Sequence, residues 1–249
     1  MQFQVLSSGS KGNLTYIKTD ECNILIDAGI SLKEISNRSD INIKEIDAIF
    51  ITHTHVDHIK GLKVFVNKYG TKVYFTDKMH KELNFVENFE YIIDNKIYFK
   101  EMVINVIKTS HDSDDSLGYV IEGDNKSVVY ITDTGYINSK YFDLLKNRNV
   151  YIMESNHDIE MLNNGRYSFS LRQRILGDKG HLSNYDSARY LASFIGENTD
   201  TIILAHLSEE NNTSEIAYDT LIKRLDGISH NVRRIIIAKQ DVLTEEIVL

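Results

Sequence analysis

One short segment of the chain concentrates side chains that bind metals. Within six residues it holds three histidines and one aspartate: His53, His55, Asp57 and His58. The segment follows the apolar run 49–51 and precedes a helical pattern, so residues 53 and 55, two apart at a strand end, point to the same side. Asp57 and His58 lie where the chain turns into the helix and face a second position. Imidazole with carboxylate suits Zn, Mn or Fe, whereas a solvated polar loop would leave this concentration of ligands unexplained.

Three more candidate ligands each follow an apolar run of the kind that forms a strand. They are His111, Asp133 and His206. Alone, each would more often be structural. Together they supply what the histidine segment lacks, because two metals need more ligands than four residues provide. Ligands at strand ends converge on one edge of a sheet. The sequence therefore predicts a site for two divalent metal ions, Zn²⁺ or Mn²⁺.

The elements that must position these residues are short strands and helices. Apolar runs with turn residues between them predict strands at 3–6, 14–17, 24–26, 48–51, 73–75, 103–108, 117–121, 128–131, 150–153, 201–205 and 234–238. Helical patterns lie between them, at 58–68, 140–146, 186–195 and 215–225. Asp124 and Asn125 predict a hairpin turn. The mixture predicts an α/β protein with two sheets and helices outside, and without a dividing linker we expect one domain over residues 1–249.

The composition limits the class of protein. Apolar residues make up 42% of the chain, enough for a sizeable core. The formal net charge of -8 excludes a wholly basic nucleic-acid-binding surface, although not a local basic groove. The single cysteine, Cys22, excludes an internal disulfide, and no run approaches the length that crosses a bilayer. We therefore expect a cytoplasmic protein that does not act in a membrane, and the oligomeric state stays open.

The ligand pattern resembles that of the metallo-β-lactamase superfamily, in which an HxHxDH loop is followed by a His, an Asp and a last His in this order. The resemblance implies an αββα sandwich of two mixed β-sheets with helices on the outer faces. It also implies which residues share a metal. One ion would be held by His53, His55 and His111, another by Asp57, His58 and His206, and Asp133 would bridge them. Asp27 matches an early aspartate of the superfamily that holds the histidine loop by hydrogen bonds without binding metal.

Further motifs make the chain similar to the YycJ/WalJ family within that superfamily. The matching segments lie at 7–13, 132–136, 154–158, 180–184 and 207–212 and read SSGSKGN, TDTGY, ESNHD, GHLSN and LSEENN. Each is short, but their joint order is specific. The resemblance implies a bacterial cytoplasmic nuclease with 5′ to 3′ exonuclease activity on DNA. The segment 166–168 departs from the family pattern, in which a proline is common near Ser168.

These residues suit hydrolysis of a phosphodiester. Two metals can hold a bridging hydroxide as the nucleophile, and their charge attracts an anionic substrate. The predicted catalytic residues are Asp57, His181 and Glu154: His181 would protonate the leaving oxygen, and Glu154 would assist it, as in nucleases of the superfamily. A histidine with only structural hydrogen bonds is the alternative for His181. Ser183 and Asn184 precede a helical pattern and are predicted to bind phosphate at the helix start.

A basic stretch supplies the predicted contact with nucleic acid. Residues 164–184 carry four basic side chains against one acid, a net charge of +3, with Arg172 and Arg174 as the predicted substrate-binding residues. A solvated helix face is the alternative. Three other functions also stay open: an RNA nuclease, a small-nucleotide phosphodiesterase of the same fold, and a non-catalytic metal-binding regulator. DNA, a 5′ end and catalysis are the predictions that the family resemblance favours.

Overall fold

Fourteen strands form two seven-stranded sheets in the computed structural model, which describes residues 1–249. In chain order the strands are β1 (Gln2–Ser7), β2 (Leu14–Lys18), β3 (Asn23–Ile26), β4 (Ala48–Phe50), β5 (Lys72–Phe75), β6 (Phe89–Tyr91), β7 (Lys96–Phe99), β8 (Met102–Lys108), β9 (Leu117–Gly123), β10 (Lys126–Ile131), β11 (Val150–Glu154), β12 (Thr201–Ala205), β13 (Arg234–Ile237) and β14 (Ile247–Val248). The first sheet has the order β14-β1-β2-β3-β4-β5-β6 and the second β13-β12-β11-β10-β9-β8-β7.

Both sheets are mixed, and their parallel parts matter most for the site. Strands β3 to β6 are parallel in the first sheet, and β10 to β13 are parallel in the second. The remaining pairs are antiparallel. The carboxyl ends of the parallel strands therefore meet at one edge of each sheet, where ligand sites form in α/β proteins.

Helices lie against the sheets. They are α1 (Leu32–Arg38), α2 (Val56–Ile59), α3 (Leu62–Tyr69), α4 (Phe142–Leu145), α5 (Ile159–Asn164), α6 (Phe169–Leu176), α7 (Asn184–Phe194) and α8 (Ser214–Leu225), with short 3₁₀ turns at Ile43–Glu45, Asp77–Lys81 and Ser139–Tyr141. Seven of these eight helices have buried apolar or histidine side chains, whereas α6 has no buried residue. No helix is long and apolar enough to cross a membrane.

The position of strand β10 between two cores explains why its sequence is continuously apolar. Val128 and Tyr130 belong to the core between the two sheets, whereas Val129 and Ile131 belong to a second core with α7 and α8. Alternate side chains of a strand point to opposite faces, so a strand covered on both faces needs apolar residues at every position. The fold is thus two mixed sheets packed together with helices outside, and the predicted αββα architecture is confirmed.

Local predictions have mixed outcomes. The hairpin turn at Asp124 and Asn125 is confirmed: it joins β9 to β10, and both residues have positive φ angles, 51° and 58°. The prediction of one helix over 58–68 is wrong, because the chain makes two, α2 and α3, that break at Gly61. A Cβ at Gly61 would lie 2.0 Å from the carbonyl oxygen of Ile30, so the break lets the backbone pass close to a neighbouring loop.

Candidate metal centre

The predicted ligands lie where parallel strands of both sheets end. His53 follows β4, Asp133 follows β10 and His206 directly follows β12. Asp27 directly follows β3, and Glu154 is the last residue of β11. Because these strand ends face one another across the sandwich, residues far apart in the sequence come together.

Three residues of the centre have an unusual backbone conformation. Asp27, Asp133 and His206 have φ angles of 61°, 53° and 56°, in the left-handed region that residues other than glycine rarely adopt. Such conformations cost on the order of 1–3 kcal/mol each and cluster at functional sites. Asp27 and His206 directly follow a strand, and Asp133 follows one after a single residue, so each left-handed residue lies where a strand ends at the centre.

The first group of candidate ligands consists of His53, His55 and His111. One nitrogen from each lies within 4.8 Å of the others. Nε2 of His111 is 3.3 Å from Nδ1 of His55. Nε2 of His53 is buried without any hydrogen-bond partner. Three imidazole nitrogens thus converge on one point.

The second group consists of Asp57, His58 and His206. Oδ2 of Asp57 lies 3.6 Å from Nε2 of His58 and 3.8 Å from Nε2 of His206. The amide of Asn13 lies beside them, 3.2 Å from the same Asp57 oxygen. Two imidazoles and a carboxylate therefore converge on a second point.

Asp133 lies between the two groups. Its Oδ2 is 3.2 Å from Nε2 of His58, and its Oδ1 is 3.6 Å from Nε2 of His111. Oδ2 thus faces the second group, and Oδ1 faces the first group while it also lies 3.5 Å from Nδ1 of His206. This is the arrangement that the predicted bridging role requires, and the assignment of these seven ligands remains a proposal.

The chemistry of the donors fits divalent cations. Nε2 of His53, Nε2 of His206 and Oδ2 of Asp133 are buried and take part in no hydrogen bond. Buried polar atoms without a partner are costly, so a group that satisfies them all at once is expected there. Nitrogen and carboxylate oxygen donors suit Zn²⁺ or Mn²⁺, and this donor set does not distinguish between the two ions.

The charges of the protein alone point the same way. Burial would raise the pKa of Asp133, but His206 and His58 hold it well below its ordinary range. Burial would lower the pKa of His58, but Asp27 and Asp133 raise it to about 10. In the metal-free protein, protons bound to histidines therefore supply the positive charge beside the buried carboxylates. Metal ions must displace those protons, so metal affinity should rise with pH.

Two buried carboxylates hold histidines of the second group from behind. Asp27 accepts hydrogen bonds from the backbone N–H of Thr52 at 2.8 Å and from Nδ1 of His58 at 2.7 Å. Glu154 faces Nδ1 of His181 at 2.8 Å and Nδ1 of His206 at 2.9 Å through one oxygen. Carboxylates that bind the outer nitrogen of a ligating histidine fix its tautomer and its orientation. Asp27 thus lies where its predicted role requires.

Glu154 lies deeper than a group that touches substrate. Its side chain is 0% exposed, and its second oxygen accepts from the backbone N–H groups of Thr134 at 3.1 Å and Leu182 at 3.0 Å. It does not line the cavity above the centre. We therefore treat Glu154 as a residue that positions His181 and His206, and not as one that transfers protons to substrate.

A cavity of about 330 Å³ opens above the two groups. His55, Asp57, His111, Asp133, His181 and His206 form its floor. The side formed by α6 and the residues next to it contributes Tyr167, Leu171, Arg174, Ile175 and Lys179, and the opposite rim contributes Ser10, Glu209 and Glu210. One rim is therefore mainly basic and apolar, with Asp112 paired to Arg174, and the other is mainly acidic, with Lys11 paired to Glu209.

Only one of the four predicted substrate-binding residues lines the cavity. Arg174 lines the cavity and pairs with Asp112. Arg172 lies outside the cavity and donates to the backbone carbonyl of Asn163. Ser183 and Asn184 are buried, and neither lines the cavity, because Ser183 caps α7 at Asp186 and Asn184 bonds Ser155 and Asn212. For Arg172, Ser183 and Asn184 the prediction of substrate binding gains no support from the geometry.

Three residues that were not among the predicted site residues complete the site. Asn13 connects the second group to the loop before β2, since its backbone N–H also donates to the carbonyl of Asp57 at 2.7 Å. Asp112 follows a ligand and pairs with Arg174. Tyr167 lies within the basic stretch. The available signal was the position beside His111 for Asp112 and the motif at 7–13 for Asn13, whereas Tyr167 carried none that separates it from loop residues.

Comparisons with known proteins agree with this architecture. Residues 22–206 match the family model described as beta-lactamase superfamily domain. The exodeoxyribonuclease YycJ of Bacillus anthracis is 37% identical over 227 residues, which cover 87% of this chain and 86% of that protein. The exodeoxyribonuclease WalJ of Streptococcus pneumoniae is 38% identical over 239 residues, 90% of this chain and 88% of that protein. This chain belongs to the metallo-β-lactamase superfamily and, within it, to the YycJ/WalJ family.

A solved structure supports the fold independently. The metallo-β-lactamase fold protein YhfI of Bacillus subtilis superimposes with a TM-score of 0.71 at 17% identity, covering 98% of each chain. At that identity the likeness shows the fold alone. The predicted superfamily, family and fold are thus confirmed.

Proposed function

We propose that this chain is a metal-dependent exodeoxyribonuclease that removes nucleotides from the 5′ end of a DNA strand. The observation that carries the proposal is the placement of Asp133 between two groups of ligands, at the floor of a cavity with basic side chains on one rim. The names of the YycJ and WalJ relatives support DNA as the substrate and an exonuclease mode of attack.

The seven predicted ligands would hold two divalent ions, Zn²⁺ or Mn²⁺. His53, His55 and His111 would hold one, Asp57, His58 and His206 the other, and Asp133 both. Such ions supply a water acidic enough to attack at neutral pH and positive charge for the phosphodiester oxygens. Asp57 takes part in catalysis as a ligand. Asp27 and Glu154 would keep Nδ1 of His58, His181 and His206 protonated, which would leave Nε2 of His58 and His206 available to the ions.

His181 is the side chain best placed to protonate the leaving oxygen. It lines the cavity with its side chain 20% exposed. Nδ1 is bound to Glu154 at 2.8 Å, which leaves Nε2 to face the substrate. Burial would lower the pKa of His181, but Glu154 raises it above its ordinary value of 6.5, which favours the protonated ring near neutral pH. This geometry supports general acid catalysis over a purely structural role.

Arg174 and Lys179 would hold the strand on the basic rim, while Glu209 and Glu210 keep backbone phosphates from the opposite rim. A neutral carbonyl substrate would gain no binding energy from a site with one basic rim and one acidic rim. The complete ligand set around Asp133 argues against a non-catalytic regulator. We therefore place RNA and small nucleotides behind DNA as substrates.

The decisive experiment gives the metal-free protein labelled oligonucleotides after Mn²⁺ or Zn²⁺ is added back. Labels at the 5′ or 3′ end, on DNA or RNA of one sequence, report polarity and sugar preference together. We expect mononucleotides to be released from the 5′ end of DNA. Faster release from RNA, or release only from 3′ ends, would contradict the proposal, and Asp133→Asn protein is the control for a contaminating nuclease.

Replacement of His181 tests its role as the acid. His181→Ala should lower turnover of DNA by about 10²–10⁴, the usual range for a general acid, and should leave the metal content unchanged. A nitrophenyl phosphodiester, whose leaving group needs no proton, should lose much less. Equal losses on both substrates would show that His181 positions the phosphate, and loss of metal would show that it is a ligand.

A further inference from the structure

One side of the cavity is apolar although the floor is polar. Tyr167 lies in the turn before α6, Leu171 and Ile175 lie one helical turn apart on α6, and all three line the cavity. Side chains four residues apart share one face of a helix, so Leu171 and Ile175 form a continuous strip. A phosphate or a metal ion gains nothing from an apolar strip, whereas a nucleobase can pack against one.

Tyr167 is the aromatic residue on this side of the cavity, and neither its ring nor its hydroxyl makes a stacking or hydrogen-bonding interaction within the protein. Its hydroxyl takes part in no hydrogen bond, and its ring stacks on no other aromatic ring or cation. Other tyrosines near the second core are engaged: the hydroxyl of Tyr141 accepts from Lys108, that of Tyr190 accepts from Ile137, and that of Tyr151 donates to Leu145. Tyr167 therefore presents a free aromatic surface at the cavity.

The turn that carries Tyr167 is held in place from both sides. Ser168 caps α6 by accepting from the backbone N–H of Leu171 at 3.3 Å. Arg172 reaches back from α6 to the carbonyl of Asn163 at the end of α5. A Cβ at Gly165 would lie 2.5 Å from Oδ1 of Asn211, so this turn packs closely against the loop before α8. The backbone that carries the aromatic ring is thus held beside the cavity.

We propose that Tyr167 stacks on the nucleobase beside the phosphodiester that is cut, so that the site accepts an unpaired nucleotide at a strand end. The proposal rests on the proposed nuclease function. Every base has a π-face, so stacking on tyrosine binds a strand without selecting its sequence. A cavity of about 330 Å³ lies at the lower end of the range for small-ligand pockets, a size that suits one nucleotide better than a base pair. Paired ends must therefore open before they enter.

The kinetic test compares Tyr167→Leu, Tyr167→Phe and the control Tyr218→Leu, whose tyrosine is exposed on α8 away from the cavity. Base stacking contributes about 1–3 kcal/mol, so Tyr167→Leu should lower kcat/KM on single-stranded DNA about 5- to 150-fold. Tyr167→Phe keeps the ring and should retain the wild-type rate. On a strand whose terminal nucleotides are abasic, Tyr167→Leu and wild type should become equal.

A binding test separates this inference from the nuclease function. Metal-free protein is titrated into a single-stranded oligonucleotide with 2-aminopurine near its 5′ end, whose fluorescence stacking quenches. Quenching by wild type and Tyr167→Phe, but not by Tyr167→Leu, supports stacking even if no DNA is cut, and that case would refute only the nuclease proposal. Equal quenching by all three proteins would overturn the inference. A Tyr167→Leu defect that persists on abasic DNA, or faster cutting of a blunt duplex than of a single-stranded end, would also overturn it.

Discussion

The buried carboxylate of Glu154 gives the sharpest test of how this centre is built. One of its oxygens faces Nδ1 of both His181 and His206, and the other accepts from two backbone N–H groups. Glu154→Gln keeps the shape of the side chain. However, whichever way the amide turns, its NH₂ faces two donors. If the oxygen stays with the backbone, both histidines must move their proton to Nε2, which for His206 is the nitrogen that faces Asp57.

The size of the effect follows from the pKa of this residue. Burial would raise the pKa of Glu154, but His181 and His206 lower it from 4.5 to about 2. Each pKa unit corresponds to about 1.4 kcal/mol, so the fold stabilises the ionised form over the neutral one by about 3 kcal/mol. Glutamine is neutral, so the variant should lose about 3 kcal/mol of unfolding free energy at pH 7. This agrees with two hydrogen bonds to charged groups at about 1.5–3 kcal/mol each.

The same pKa predicts how the difference depends on pH. A carboxyl whose pKa is lower in the folded state stabilises the protein above the unfolded pKa of 4.5 and loses that effect as the pH falls through about 2. Urea unfolding of metal-free wild type and Glu154→Gln should therefore show the full gap at pH 7 and a shrinking gap below pH 4.5. Glu160→Gln, on the exposed surface of α5, is the matched control.

Metal affinity provides the second measurement on the same variant. Loss of a partner of a ligating histidine typically lowers metal affinity about 10–100-fold. A chelator competition with Zn²⁺ should show this loss for one of the two ions, because Glu154 contacts a histidine of the second group alone. The reasoning is refuted if Glu154→Gln unfolds at the same urea concentration as wild type and binds both ions equally well.

Three further variants test other parts of the centre. Asp27→Asn places an amide against Nδ1 of His58 and should lower metal affinity about 10–100-fold in the same chelator competition, and an unchanged affinity would show that Asp27 does not orient His58. Asn13→Ala leaves the backbone N–H of Gly9 without its acceptor and should cost about 1–3 kcal/mol in urea unfolding, whereas a smaller loss would mean that water replaces the amide. Arg174→Ala should reduce the salt dependence of single-stranded DNA binding by about 0.7 in log–log slope, with exposed Arg224→Ala as control. Equal slopes for these two arginine variants would place Arg174 outside the interface.

The sequence by itself determined the type of chemistry and much of the fold. The six-residue segment from His53 to His58 indicates metal binding by its residue types and their spacing. This inference requires no tertiary contact. The predicted strands followed from local apolar runs, and the Asp124–Asn125 turn followed from residues that tolerate positive φ. These features are local, so local patterns were sufficient. Strands β6, β7 and β14 were missed, since they are short edge strands with weak apolar patterns.

Only the tertiary structure decided what each residue of the site faces. Arg172 and Arg174 are two apart on one helix, and helical geometry turns one to the cavity and the other to Asn163. Glu154 is the end of a central strand, where pairing with β10 and β12 buries it beneath two histidines from other segments. The left-handed backbone at Asp27, Asp133 and His206 could not be located from the sequence, because Asp and His tolerate this conformation but most residues of these types do not adopt it. Such strain persists only because the surrounding sheets hold it, and those sheets are assembled from residues distant along the chain.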